Sequence, residues 1–192
     1  MRSAEFDRQV VLRQAMAKFV EKGYGKTSMQ DLKLATGLHP GSIYCAFDNK
    51  RGLLIAALEQ YQLDRHQAME ALFASYSTVF EGIEAYMESV LEECEQEQIK
   101  DCLLQKALSE LAHQDEQVEA LISDMLRRWQ QWLVDKIAVM MELGEIANHR
   151  SPELVAQFLV IGIYGMRTLS HTQPDSGVLR ALNDELLRYI KG

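Results

Sequence analysis

The chain has 192 residues and a net charge of −8, with 20 Lys and Arg against 28 Asp and Glu, three Pro and three Cys. That length suits one domain, or a small domain beside a larger one, and lets roughly 70% of the unfolded surface be buried. Abundant Leu, Ala, Glu and Gln with no convincing β-alternation point to an all-α protein, while the longest apolar run, Phe158 to Met166, is far too short for a membrane-spanning helix.

The first helix is expected from about Phe6 to Lys22, with Val11, Leu12, Ala15 and Phe19 on one stripe and Gly23 as its stop. Tyr24-Gly25 links it to Lys26. Ser28-x-x-Asp31 reads as a capping box, so a second helix should start near Met29, with Leu32 and Ala35 as a narrow apolar stripe. Gly37 can end that helix in a left-handed conformation. Pro40 suits the first position of a third helix, in which Ile43 and Phe47 face inward at i and i+4. Gly41, Ser42, Tyr44 and Cys45 then fall on its other faces. Two short helices around a glycine turn make a helix-turn-helix.

A fourth helix should follow Asn49 as N-cap and run to about Ser75, with Leu53, Leu54, Ala57, Leu58, Tyr61 and Leu63 as its stripe. Its first turn carries Lys50 and Arg51, where the helix dipole prefers acids; each misplaced cation costs about 0.3–1 kcal/mol. A phosphate at that helix end would reverse the sign.

Helices continue through the remainder. One is expected from Val79 to Glu95, with Phe80, Ile83, Met87, Val90 and Leu91 apolar, and an acidic, glutamine-rich end to Gln98. A short one spans Cys102 to Ala112 and a long one Glu116 to Leu143, closed by Gly144. Ser151 and Pro152 start another that runs to about Ser170, and Val178 to Ile190 forms the last, giving about nine helices. Leu154, Val155, Phe158, Leu159, Ile161, Ile163 and Tyr164 lie around nearly the whole penultimate helix, which therefore needs cover on every side. Gly162 and Gly165 permit close helix approach. With Val178, Leu182, Leu186 and Leu187, this pair of helices is expected to form half of a homodimer interface.

Charge is unevenly spread. Residues 1–52 hold nine Lys and Arg against five acids, a net +4, so the remainder carries −12. A basic head on an acidic body suits a DNA reader with a separate non-DNA domain.

The ordered pattern Thr27-Ser28-x-x-Asp31-Leu32-x-x-Ala35-x-Gly37-Leu38-x-x-Gly41-Ser42-Ile43-Tyr44-x-x-Phe47-x-Asn49-Lys50-x-x-Leu53 resembles the DNA-binding domain of tetracycline-repressor (TetR/AcrR) family transcriptional regulators. The likeness extends back through Phe19-x-x-x-Gly23-Tyr24 and, weakly, into the tail. It implies an N-terminal three-helix DNA-binding domain over 1–52 and a C-terminal helical effector-binding and dimerisation domain over 53–192. It further implies a homodimer on double-stranded operator DNA, acting as a repressor released by a small hydrophobic molecule. The candidate operator contacts are Lys26, Thr27, Ser28, His39, Gly41, Ser42, Tyr44, Cys45, Lys50 and Arg51, with Tyr44 and Lys50 gripping phosphates. Three positions depart from the family: His39 replaces a Ser and should cap the third helix poorly, Ala46 replaces His or Tyr, and Arg51 replaces an acid. Tyr61, Tyr86, Met87, Cys102, Met125, Trp129, Trp132 and Tyr164 are the candidate effector lining; for any one of the aromatic and Met residues taken alone, plain core is the favoured reading. Dimer contacts are placed at Leu154, Phe158, Ile161, Gly162, Gly165, Leu182 and Leu186.

Two alternatives stay open. One is a thiol- or electrophile-sensing regulator acting through Cys102 or Cys45, since a reactive Cys needs a setting that lowers its pKa. The other is a helical carboxylate metalloprotein, for which Glu110-x-x-His113 is half of a site and no second half exists. No catalytic constellation is found, and no metal or cofactor is expected. Without a signal peptide, and with a Met1 start leading straight into an amphipathic segment, the expectation is a cytoplasmic, thiol-reduced protein.

Overall fold

A computed structural model describes residues 6–95, 115–147 and 149–192. All regular elements among them are helices: α1 (Arg8–Lys22), α2 (Met29–Thr36), α3 (Pro40–Phe47), α4 (Lys50–Phe73), α5 (Val79–Glu95), α6 (Glu116–Glu142), α7 (Pro152–Ser170) and α8 (Val178–Lys191). The helix expected over Cys102 to Ala112 lies outside the described residues.

The chain divides into two compact units, whose described residues are 6–67 with 115–125, and 68–95 with 126–147 and 149–192. The division therefore falls inside α4 and α6.

In the first unit, local chemistry sets each helix end. Asp7 caps α1 by accepting from the backbone N–H groups of Gln9 at 3.0 Å and Val10 at 3.2 Å, which starts the helix at Arg8 rather than Phe6. The expected capping box forms: the Asp31 N–H donates to Ser28 Oγ at 3.1 Å, and the Ser28 N–H donates to Asp31 Oδ2 at 2.9 Å. Gly37 ends α2 at φ +70°. The buried pair on α2 is Leu32 and Thr36, not Leu32 and Ala35, because Thr36 turns its hydroxyl onto Leu32 O at 2.7 Å and packs inward while Ala35 is only half-buried. Ile43 and Phe47 of α3 are buried against this frame together with Val11, Leu12, Ala15, Met16 and Phe19 of α1. Leu32 has no exposed surface, so Leu32→Ala would cost about 2–5 kcal/mol.

Leu53, Leu54, Ala57 and Leu58 bury as expected, but Leu63 is 45% exposed. It follows Leu58 by five residues, roughly 140° around the helix from the buried stripe. The side of α4 facing α1 is tied by a two-pronged ion pair: Arg13 donates to both oxygens of Asp64 at 2.7 Å.

In the second unit, Ile83, Met87 and Leu91 of α5, Leu133, Ile137 and Met140 of α6, Val155, Leu159 and Ile163 of α7, and Leu186 and Ile190 of α8 build one apolar core. The Glu145 carboxylate caps α5 from 65 residues away, accepting from the N–H groups of Phe80 at 2.8 Å and Val79 at 3.2 Å. Ser151 caps α7 through the Leu154 N–H at 3.3 Å, with Pro152 at the first position as expected. No helix among the described residues is long and apolar enough to cross a membrane.

Candidate functional site

The helix-turn-helix is α2 and α3, and its exposed side follows from which residues the core takes. Ile43 and Phe47 point inward, which leaves Gly41, Tyr44 and Cys45 of α3 exposed and Ser42 half-buried. Tyr44 is 49% exposed, an aromatic with a hydroxyl presented outward from a short helix. His39 precedes the helix and is no poor cap: its imidazole Nδ1 accepts from the Gly41 N–H at 3.3 Å. That bond holds the ring against the first turn of α3, on the exposed side.

The joint between α3 and α4 is tight. Asp48 sits at φ +65°, the Asn49 N–H donates to Phe47 O at 2.7 Å, and Asn49 Oδ1 accepts from the Gly52 N–H at 2.9 Å. A Cβ on Gly52 would lie 2.0 Å from Phe47 O, so only glycine lets the first turn of α4 close against the last turn of α3. The two helices therefore share one rigid corner.

The expected basic contacts divide at that corner. Lys26 and Ser28 are exposed, although the Ser28 hydroxyl is already used on Asp31 Oδ2 at 2.7 Å. Lys50 lies over the Tyr24 ring, with its ammonium 4.3 Å from the centroid. Two residues do not stand where the sequence reading placed them. Thr27 is 1% exposed and donates its hydroxyl to Gly23 O at 2.6 Å, so it fastens the α1–α2 turn and has no surface to offer a phosphate. Arg51 donates from Nε and Nη2 to the two oxygens of Asp115, the second bond at 2.8 Å, and from Nη2 to Gln117 Oε1 at 2.9 Å. The guanidinium pulls the Asp115 carboxyl down to about 2. Tyr24 and Asp115 were missed; Asp115 lies 64 residues from its partner, beyond any local spacing signal.

The effector candidates are scattered by the fold. Tyr61 and Met125 belong to the first unit, and Tyr86, Met87, Trp129, Trp132 and Tyr164 to the second. Tyr86 and Met87 are buried core residues of α5. Trp129 and Trp132 are both half-buried against that core, as their three-residue spacing suggested, but with different neighbours. Trp129 packs at 5.9 Å on Tyr164, while Trp132 meets Phe73 edge-on at 4.9 Å and Tyr86 at 6.4 Å. The Lys136 ammonium lies 5.0 Å from the Phe73 ring and 5.3 Å from the Trp132 ring. Cys102, Glu110 and His113 lie outside the described residues.

Of the dimer candidates, Leu154, Phe158, Ile161 and Gly165 form one exposed face of α7, continued by Leu182 and Val178 of α8. Gly162 and Leu186 instead serve the protomer's own core. Leu186 is buried, and a Cβ on Gly162 would meet its methyls at 2.3 and 2.5 Å, so the glycine lets α8 approach α7 within one chain.

Burial pushes the Cys94 thiol up, which keeps it protonated and unreactive, and Cys45 is exposed on α3. Neither described thiol favours the sensing alternative. No group of three or more His, Cys, Asp or Glu among the described residues is placed to hold a metal.

Comparison with known proteins adds the following. Residues 11–57 match the family "Bacterial regulatory proteins, tetR family", and residues 79–184 match "Tetracyclin repressor-like, C-terminal domain". The chain is 31% identical over 117 residues to the uncharacterized HTH-type transcriptional regulator YezE of Bacillus subtilis, covering 60% of each protein. It is 37% identical over 87 residues to the HTH-type transcriptional repressor ComR of Escherichia coli, covering 44% of this chain and 41% of that one. Both matches span less than two thirds of the relative's length. Among solved structures, a cysteine-substituted form of the TetR family regulator CifR, complexed with 26-bp double-strand operator DNA, superposes with a TM-score of 0.79 at 22% identity, covering 98% of both chains.

Proposed function

We infer, for a chain that belongs to the tetR family of bacterial regulatory proteins and is a DNA-binding transcriptional regulator, that two copies grip an operator and release it when the body takes up a small hydrophobic molecule. The observation that carries the DNA half is the split of α3: Ile43 and Phe47 are sunk in the core while Tyr44, Cys45 and Gly41 are exposed, with His39 capping the helix on that side. In a dimer the two copies of α3 enter successive major grooves, about 34–36 Å apart. Tyr44 and Lys50 then contact phosphates, with base reading left to a helix poor in donors. Repression is the reading preferred over activation, supported by the repressor name of ComR.

The effector half is supported by the aromatic groups on the second unit's core. Half-buried Trp129 and Trp132, with Tyr164 beside the former, suit a flat or apolar ligand better than a sugar phosphate. Pairing through the exposed face of α7 and α8 supplies the homodimer.

The test is the salt dependence of binding. Duplexes are selected by the protein from a random-sequence pool, and affinity is measured by fluorescence anisotropy at several salt concentrations. Lys50→Ala should weaken binding across sequences and make the slope shallower by about 0.9. Unchanged affinity and slope would remove Lys50 from the interface.

A further inference from the structure

Arg51 is a cation in the first turn of α4, where the helix end is itself positive, so something anionic must offset it. The structure supplies that anion from within the chain. Both oxygens of Asp115 take the guanidinium, and Gln117 takes the remaining reach of the same nitrogen. A bidentate pair of this kind fixes orientation as well as distance, unlike a lysine contact.

Asp115 does two things at once. While one oxygen holds Nη2 of Arg51, the same Oδ1 accepts from the Val118 N–H at 3.1 Å and caps α6. The carboxylate thus joins the first turn of α6 to the first turn of α4. From there the path to α3 is short and stiff. Gly52, next to Arg51, donates to Asn49 Oδ1 at 2.9 Å and presses its Cα against Phe47 O, the last residue of α3. The neighbouring Lys50 rests on Tyr24, whose hydroxyl is pushed up by burial and by the Asp115 charge.

We propose that Arg51 acts on DNA as a positioning residue, not as a phosphate contact: its pairing with Asp115 sets the angle at which α3 is presented. This rests on the DNA-binding reading above and names a residue pair that this reading does not require. It also makes a prediction of unusual sign. Asp115 is an acid paired onto the basic N-terminal segment, residues 1–52, so neutralising it should strengthen binding to a polyanion if charge alone mattered. The inference demands the opposite for the selected duplex.

The experiment compares the unmodified protein with Asp115→Asn, Arg51→Gln and the double variant. Asn keeps a good helix cap at 115, so α6 retains its start. The probes are the duplex selected from a random pool and an unselected 30-bp duplex of scrambled sequence. Circular dichroism and thermal unfolding establish that each variant is folded. Asp115→Asn is expected to bind the selected duplex about tenfold more weakly, with its salt slope unchanged and its affinity for the scrambled duplex equal or higher. Arg51→Gln should lose a similar factor on the selected duplex, also without a change in slope, and the double variant no more than the worse single. A general loss of structure would lower both affinities together, so the ratio between the two duplexes is the decisive reading. If Asp115→Asn binds the selected duplex as well as the unmodified protein, or the two losses simply multiply, the pair has no positioning role. If Arg51→Gln makes the slope shallower by about 0.9, Arg51 is a phosphate contact after all. A pool from which the unmodified protein enriches nothing overturns the DNA reading itself, a distinct failure.

Discussion

Ile161→Glu is the cleanest test of the proposed pairing. Ile161 is 67% exposed, whereas Phe158 on the same face stacks at 3.9 Å on Tyr189 of its own chain and would disturb the protomer if replaced. Burying an Ile fully is worth about 1.5–3 kcal/mol, so covering its exposed two thirds gives about 1–2 kcal/mol. A two-fold interface contains the residue twice, which doubles the loss to about 2–4 kcal/mol before any cost of burying carboxylates. That corresponds to a dimer dissociation constant raised by about 30-fold to 1,000-fold. The folded protomer should hardly notice, because an exposed helix position away from special features changes stability by about 0.5 kcal/mol or less. Sedimentation velocity between tens of nanomolar and tens of micromolar would show unmodified dimers and Ile161→Glu monomers, with equal thermal unfolding of the monomeric species. Dimers of unchanged affinity would place the interface elsewhere and leave the apolar face of α7 and α8 to another partner.

The remaining expectations are independent of that face. Gly162→Ala brings a Cβ within 2.5 Å of the Leu186 methyls and should cost about 1–3 kcal/mol in urea unfolding, whereas Gly165, with nothing within 4 Å of a built Cβ, should accept Ala without loss of protomer stability. Acid should unfold the protein through its paired carboxyls. Asp31 beside Lys22, Asp64 beside Arg13, Glu88 beside Arg180 and Asp115 beside Arg51 all have folded pKa values below their ordinary ones. The unfolded chain therefore takes up protons first as pH falls; the stabilisation is complete above about pH 4–5 and is lost on the way down to about 2. Urea midpoints at pH 5, 4 and 3 should fall steadily, and less steeply for Asp115→Asn; a flat profile would contradict the pairing. A thiol reagent should label exposed Cys45 quickly in the native protein and Cys94 only on unfolding, read by mass spectrometry of the digested adducts.

What the sequence disclosed were features decided within a few residues. The Ser28–Asp31 box, the Gly37 stop, Pro40 at the start of α3 and the Ser151–Pro152 start of α7 all depend on neighbours three or four positions away. The inward Ile43 and Phe47 follow from helical period alone, and they fix which side of α3 is left for DNA. Gly162 shows where this stops. Its size announces a close approach but not by what, and within the chain the group it admits is Leu186 of α8. Thr27 fails for a related reason: a polar side chain in a DNA-binding motif need not face outward when a backbone carbonyl four residues back, Gly23 O, can take its hydroxyl.

Arg51 is the more instructive case, because the electrostatic reasoning was sound but admitted more than one partner. Two cations in the first turn of α4 do require an anion nearby, and a phosphate would serve. A carboxylate serves as well, and one arriving from 64 residues downstream leaves no mark on the local pattern. Helix-end electrostatics thus fixes the sign of the partner while leaving its identity open. Chain topology decides it by bringing the start of α6 to the start of α4. A folded-in carboxylate has a consequence that a phosphate lacks: it is present whether or not DNA is bound, so the corner formed by Phe47, Asn49, Gly52 and Arg51 is held before the operator arrives. Recognition by a helix as short as α3 depends on such prior placement, since eight residues with few donors gain little from adjusting on contact.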